Sequence, residues 1–428
     1  MTEQPDFAIE RLGECRFPSP MKKVRFFDDR ERIMYHSRFD EIRPYLDQGS
    51  APPTLELAGP RERIFFDPSA IACGIVTCGG LCPGTNNVIR ALVLSLHHHY
   101  GVRKIYGFRY GFEGLVQRIG HSPLELTPET VDNIGQLGGT ILASSRGPQD
   151  PAEMLATLEK LKVGILFTIG GDGTLKGAAA VAAEAARRGS PISVIGIPKT
   201  IDNDISCVQT TFGFETAVAE AQRAIYAAHT EAAGAKNGIG LVKLMGRDSG
   251  FIAAFSSLAG GLVNFCLVPE SPFGLDGFLA SLRERLEQRS HAVVAVAEGA
   301  GQELMGNTGE RDASGNVKYG DIGIYLRDSI RKHFTRNGME LNLKYIDPSY
   351  IIRSQPANPH DSALCLMFGH NAVHAGMTGR TNMVVGFWNH LFTHVPILQA
   401  TSRRKRIDPD GWLWSSVLAS TGQPREMR

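Results

Sequence analysis

Several short stretches of this chain carry the residue types that work on a phosphate would require. TIGGDGTLKGA, residues 168–178, sets Gly170, Gly171 and Gly173 around Asp172, between an apolar run and an Ala-rich run. A phosphate approaches a backbone only where no side chain intervenes, and a helix beginning there presents amides and a favourable dipole. Asp172 between the glycines suits Mg2+, bound directly or through water beside such phosphates. CGGLCPGT, at 78–85, has the same character in Gly79 and Gly80. One such cluster reads equally well as a tight strand–helix turn; two in successive units, one carrying an acid, favour phosphate.

PKTIDNDI, at 198–205, puts Lys199, Thr200, Ile201, Asp202 and Asp204 in one loop. Carboxylates this close raise each other's proton affinity unless a cation offsets them. One can take a proton from an attacking hydroxyl while the other orients it, although an Asx-rich turn is the structural alternative. LMGRDSGF, at 244–251, offers Arg247 to neutralise a transferred phosphoryl group, or to pair with Asp248. Glu298 ends an apolar strand and can accept hydrogen bonds from sugar hydroxyls or cap the next segment. LKYIDPSYIIR, at 343–353, presents Lys344, Tyr350 and Arg353 as a clamp for a phosphate that is not transferred. Arg146 in SSRG, at 144–147, falls to the donor side. The triplet His97–His99 closes an amphipathic run, and consecutive helical residues cannot converge on one ion.

These loops need a scaffold, and the flanking sequence describes one. ACGIVT, VGILFTI, ISVIGI, GIGLVKL and HAVVAVA are short β-branched runs, several followed by helical patterns. Such alternation implies parallel strands with crossover helices, and each polar loop then falls at a strand's carboxyl end, where ligands of doubly wound sheets sit. Residues 1–70 read as an N-terminal arm; ARRGSP, at 186–191, and GNTGERDASGN, at 306–316, read as surface turns.

With 428 residues and 43% hydrophobic content, the chain suffices for two domains with cores. Its 45 basic and 44 acidic residues give no global field for nucleic acid or an acidic membrane, so local groups must hold any anion. The basic stretch TSRRKRIDPDGW, at 401–412, therefore reads as a solvated face or a subunit contact. Seven scattered cysteines read as free thiols of a reducing cytoplasm, and neither a membrane span nor a signal peptide is evident.

Taken in order, GIVTCGGLCPGTNNVIR, GGTILASSRG, IGGDGTLKGA, GIPKTIDNDI, TFGFETAV, GLVKLMGRDSGFIA, VPESPF, VAEGAGQ and KYIDPSYIIR resemble the 6-phosphofructokinase family, in wording closest to its long ATP-dependent branch of plants, protozoa and some bacteria. The resemblance implies two Rossmann-like α/β lobes with mainly parallel sheets and a cleft between them. It assigns residues 71–214 with about 353–400 to the donor lobe, and 215–352 with about 401–428 to the sugar lobe. It implies fructose 6-phosphate and ATP as substrates, Mg2+ as cofactor, and a homodimer or homotetramer. Gly79, Arg146, Gly147 and the run Gly171, Asp172, Gly173 and Thr174 match nucleotide contacts, with Asp172 the metal ligand. Asp202 matches the base, with Thr200, Ile201 and Asp204 beside it, and Arg247 matches the arginine on the transferred phosphoryl. Met245, Gly246, Glu298, Tyr350 and Arg353 match sugar-phosphate contacts, and Lys344 stands where short bacterial relatives have an arginine. Asn237 or Gly238 stands where short relatives have an arginine supplied by a neighbouring subunit.

The family also contains pyrophosphate users, which typically carry a second Asp after the GGD aspartate and a Lys in PKT. Gly173 leaves room and neutral charge for the α-phosphate of ATP, whereas Lys199 is the pyrophosphate-type residue. Gly173 weighs more, because ATP requires the absence of an obstruction, while a lysine helps any phosphate. Two unit charges ~4 Å apart at an effective dielectric of ~20 differ by about 4 kcal/mol, enough to exclude a nucleotide. Other GGDGT kinases, of the NAD or diacylglycerol type, lack the remaining motifs. A silent regulatory subunit would be expected to lose Asp172, Asp202 or Arg247.

Overall fold

A computed structural model describes residues 5–306, 309–310 and 317–427. Residues 307–308 and 311–316, most of the expected turn at 306–316, lie outside the described residues. The chain forms two compact units, Met1–Thr200 with Ile205–Gly213 and Pro356–Arg403, and Ile201–Asp204 with Phe214–Gln355 and Arg404–Arg428.

The first unit is built on a nine-stranded sheet. Its middle is parallel, in the order Met383–Trp388, Ser193–Pro198, Val163–Gly170, Ala72–Thr77 and Lys104–Phe108. Every residue of Ala72–Thr77 and Ser193–Pro198 is buried, as continuous apolar strands covered on both faces should be. The outer strands are antiparallel, so this sheet is mixed. Asn389 and His390, both at left-handed φ (47° and 62°), turn Met383–Trp388 into Leu391–Pro396, the geometry that matches strand twist in a two-residue hairpin. Beyond that hairpin lie Thr54–Leu57 and Arg32–Met34, from the segment read as an arm. Their alternation is too short to register as strands in the sequence; pairing with the distant hairpin defines Thr54–Leu57, and Arg32–Met34 pairs in turn with Thr54–Leu57. Glu56, itself buried, receives hydrogen bonds from Arg61 and Arg380 there.

Helix starts in this unit follow local rules. Asp150 caps Pro151–Lys160 by accepting from the Ala152 amide at 2.9 Å, with Pro151 in the first turn. Asp172–Arg188 runs for 17 residues from Gly171 to Gly189, acidic in its first turn and basic in its last, as the helix dipole favours. The histidine triplet lies in Ser95–Tyr100, a π-helical turn that Gly101 ends at φ 80°, so it is a helix end.

The second unit has a four-stranded parallel sheet, in the order Phe265–Leu267, His291–Ala297, Gly238–Leu244 and Asn342–Ile346. Its core gathers Leu241, Phe278, Leu282, Val294, Leu326 and Phe334. Phe214–Ala233 packs directly on Gly238–Leu244 because Gly238 and Gly240 lack side chains: a Cβ at either would overlap the backbone of Ala232 or Ala228. That is a packing reason for Gly238. Asn237 is also used structurally, its side chain donating to the Glu340 carbonyl at 2.8 Å.

Candidate active site

In the first unit, the loops expected on the donor side are tied to one another through their backbones. Gly79, at φ 86°, donates its amide to the Ser145 carbonyl at 3.0 Å, and its own carbonyl accepts from Ser144 Oγ at 2.7 Å. SSRG and CGG are thereby held side by side, with Arg146 exposed and Gly147 at φ 103°. The Cys78 amide donates to Ile169 at 3.1 Å, which joins CGG to the strand leading into GGDG. Lys199 makes a third tie. Its amide donates to Gly170 at 3.0 Å, and its ammonium donates to the Gly80 carbonyl. The lysine that resembles a pyrophosphate feature therefore spans both glycine loops.

Asp172 opens its helix with a part-exposed carboxylate, 2.9 Å from Lys176 Nζ one turn on. A Cβ at Gly173 would meet nothing within 4 Å, so this position faces open space. Thr174 is buried and helps to hold the Cys78 thiol, which burial pushes up to about 12 and so keeps inert. The Thr200 carbonyl accepts from Thr211 Oγ1 at 2.7 Å. Among the described residues no cluster of three His, Cys, Asp or Glu side chains could hold a metal alone. A metal at Asp172 would need phosphate or water oxygens to complete its shell.

The second unit holds the acidic centre. Ile201 is buried at the head of the 201–204 loop, and Asn203 takes a left-handed φ of 53°. Burial drives the Asp202 proton affinity well above the ordinary carboxyl value; Asp204 and Glu298 add to the effect, while Arg404 and Arg247 oppose it. Glu298 is likewise raised by burial, although the Arg247 amide donates to its Oε1 at 3.1 Å. Arg247 sits at φ 48°, a strained backbone for a non-glycine residue, and its guanidinium donates to the Val317 carbonyl at 3.3 Å. Gly299 permits this fold-back, because a Cβ there would overlap the Arg247 carbonyl. Met245 and Gly246 lead into the same turn, where Ser249 donates to the Gly246 carbonyl at 2.8 Å.

The surface pairing of Arg247 with Asp248 that the sequence allowed is replaced by others. Asp248 lies 2.9 Å from Arg404 and accepts from the Tyr319 hydroxyl. The 343–353 stretch is ordered by Lys243, 2.7 Å from Asp347 and 3.0 Å from Asp321. Tyr350 is 74% exposed, with the Arg353 guanidinium 4.9 Å above its ring, and Lys344 is exposed on its strand.

Sequence reasoning missed Arg404, Lys405, Glu270 and Lys243. Arg404 and Lys405 belong to the basic stretch read as a solvated or subunit-contact face. Arg403 and Arg406 are exposed, but Arg404 and Lys405 turn inward to the 201–204 loop. No local periodicity distinguishes those two from their neighbours, so their partners emerge only in the fold.

A sequence profile of the family described as Phosphofructokinase matches residues 72–376. The chain is 46% identical to the ATP-dependent 6-phosphofructokinase of Borreliella burgdorferi, across 100% of this chain and 98% of that one. It is 46% identical to the ATP-dependent 6-phosphofructokinase of Trypanosoma cruzi, across 98% and 88%. In fold it is similar to a pyrophosphate-dependent phosphofructokinase from Marinobacter aquaeolei, with TM-score 0.69, 18% identity, and coverage of 82% of this chain and 91% of that one. The ordered glycine loops, the acidic centre and 46% identity to such relatives over nearly the whole chain lead to one assignment: this chain belongs to the phosphofructokinase family.

Proposed function

We propose that the chain is an ATP-dependent 6-phosphofructokinase, transferring the γ-phosphoryl group of ATP to the 1-hydroxyl of D-fructose 6-phosphate in glycolysis. The observation that carries this reading is the environment of Asp202, a carboxylate raised by burial and acidic neighbours and offset by two arginines. A base of that kind is poised closer to working pH than an ordinary aspartate. Asp202 takes the proton of the 1-hydroxyl as its oxygen bonds to the γ-phosphorus, the bond from that phosphorus to the β-phosphate oxygen breaks, and ADP leaves. Arg247 neutralises charge on the phosphoryl in flight. Thr200 and Asp204 orient the Asp202 loop. Met245, Gly246 and Glu298 hold the sugar, and Lys344, Tyr350 and Arg353 hold its 6-phosphate.

Gly79, Arg146, Gly147, Gly171, Gly173 and Thr174 hold the donor. Asp172 fits Mg2+, being a single part-exposed carboxylate at a helix start suited to share the ion with phosphate oxygens and water. The ion would supply charge neutralisation on the donor phosphates. Open space at Gly173 supports ATP over pyrophosphate, and the names of the relatives agree. Seven free cysteines, and the lack among the described residues of a helix long and apolar enough to cross a membrane, support a cytoplasmic setting. A homodimer or homotetramer is the expected assembly, which light scattering on the purified protein measures.

A coupled assay that offers ATP or pyrophosphate with fructose 6-phosphate tests the reading. Turnover with ATP is expected; turnover with pyrophosphate alone would assign the chain to the pyrophosphate-dependent transferases, and turnover with neither would overturn the proposal.

A further inference from the structure

We propose that Arg404 and Lys405 are positioning residues for phosphoryl transfer, which hold the 201–204 loop in its working shape, with Arg404 also balancing the charge of its carboxylates. This inference rests on the function proposed above and extends it to the C-terminal segment.

Arg404 bridges two acidic loops, its Nη1 lying 3.3 Å from Asp204 Oδ2 and 2.9 Å from Asp248 Oδ2. Asp204 is two residues from Asp202, and Asp248 follows Arg247, so one guanidinium ties the base's loop to the loop of the phosphoryl arginine. Lys405 fastens the first loop twice. Its amide donates to the Asp204 carbonyl at 2.8 Å, and its ammonium donates to Asn203 Oδ1 at 3.0 Å. The second bond grips the residue at left-handed φ between Asp202 and Asp204. The Lys405 ammonium also lies 5.4 Å above the Phe251 ring, at the start of the helix that follows the Arg247 loop.

The segment is anchored well beyond these residues. Ile407 donates its amide to Glu270 at 3.0 Å, and the same carboxylate accepts from the Gly250 amide. The helix Trp412–Thr421 leads to Gln423, whose side chain pairs with both the amide and the carbonyl of Cys266, at 2.6 and 3.1 Å. The tail thus braces the acidic loop, the Arg247 loop and the edge strand of one unit. A merely solvated basic face would have none of these bonds.

Charge is the second part of the argument. Asp204 and Glu298 raise the proton affinity of Asp202 beyond what burial imposes, and Arg404 and Arg247 are the cations that oppose them. Removing Arg404 therefore leaves Asp202 protonated to a higher pH, so the base-limited acid limb of kcat moves upward.

The test measures kcat and KM from pH 5.5 to 9 in the full-length enzyme, its Arg404→Met and Arg404→Lys variants, and Lys405→Met. Arg404→Met is expected to lower kcat roughly 10- to 100-fold, leave KM for ATP within about twofold, and move the acid limb up by about half a unit or more. Arg404→Lys retains the charge and is expected to keep the limb in place, with kcat reduced less than about tenfold. Lys405→Met is expected to lower kcat several-fold with the acid limb unmoved. An Arg404→Met limb that coincides with the native one, or an Arg404→Lys limb shifted as far as that of Met, overturns the charge role. Native kcat in both Met variants overturns the positioning role. Should Arg404→Met fail to fold, Arg404→Gln replaces it as the charge-removing variant for the limb, and Lys405→Met decides the positioning role. Absence of turnover in the native enzyme would instead count against the function proposed above.

Discussion

The glycine loops of the first unit and the acidic centre of the second are assembled on opposite plans. Around Gly79, Gly171 and Gly173 the material is backbone: glycines, carbonyl–amide ties and a helix start, with Lys199 as the cross-link. Around Asp202 the material is side-chain charge drawn from the 201–204 loop, the Arg247 turn, Glu298 and the tail at 404–407. A backbone cradle tolerates changes beside it but not an added obstruction. A charge-balanced centre responds to the loss of any partner. Substitutions in the two regions should therefore fail in different ways.

The largest effect is expected at the base. Asp202→Ser should lower kcat by about 10³- to 10⁴-fold while binding of fructose 6-phosphate, followed calorimetrically, persists. Robust turnover in this variant would remove Asp202 from the base role. The matching break in the cradle is Gly173→Asp, which adds charge where the surroundings are open. It should reduce kcat/KM for ATP by roughly 10²- to 10³-fold, up to the ~4 kcal/mol of a close like-charge contact, with KM for the sugar unchanged. Unaltered ATP kinetics would refute this account of donor choice.

Gly299→Ala tests the strained turn of Arg247. The added methyl overlaps a backbone carbonyl, so the loss should be about 2 kcal/mol or more in denaturant unfolding, with kcat falling alongside. A neutral result would mean that the turn has slack.

Asp202→Asn examines the energetic side of the charged centre. An acid whose folded proton affinity is raised adds stability fully present below its unfolded pKa and lost as pH rises through the folded value. At pH 8 the native protein bears that loss and the amide variant does not, so Asp202→Asn should melt a few degrees higher there. The gap should close as pH falls towards the ordinary carboxyl range. A variant less stable than the native protein at pH 8 would contradict the raised affinity. The smallest effect belongs to Lys176→Ala. Its exposed pair with Asp172 on a helix surface should contribute about 0.5 kcal/mol or less, and the Mg2+ dependence of activity should move less than about threefold.

The difference in plan also explains what could be read before folding. GGDG and CGG announce themselves because glycine and a following helix are neighbours along the chain, and the parallel strands announce themselves through fully buried runs such as ACGIVT. Thr54–Leu57 and Arg32–Met34 did not, since the first is a strand by pairing with a hairpin more than 300 residues later and the second by pairing with the first. Arg404 and Lys405 did not either. A basic run on the surface and one turned onto carboxylates have the same composition.

What the sequence by itself determined is therefore local: which loops can face a phosphate, which residue types can move a proton, where helices start, and, through the order of motifs, the family. What only the tertiary structure decided is which charges share a site. Arg404 meets Asp204 and Asp248 across some 150 to 200 positions of chain because strand order and helix packing bring them together. Coulomb interactions act over a few ångströms of space, whatever the separation in sequence.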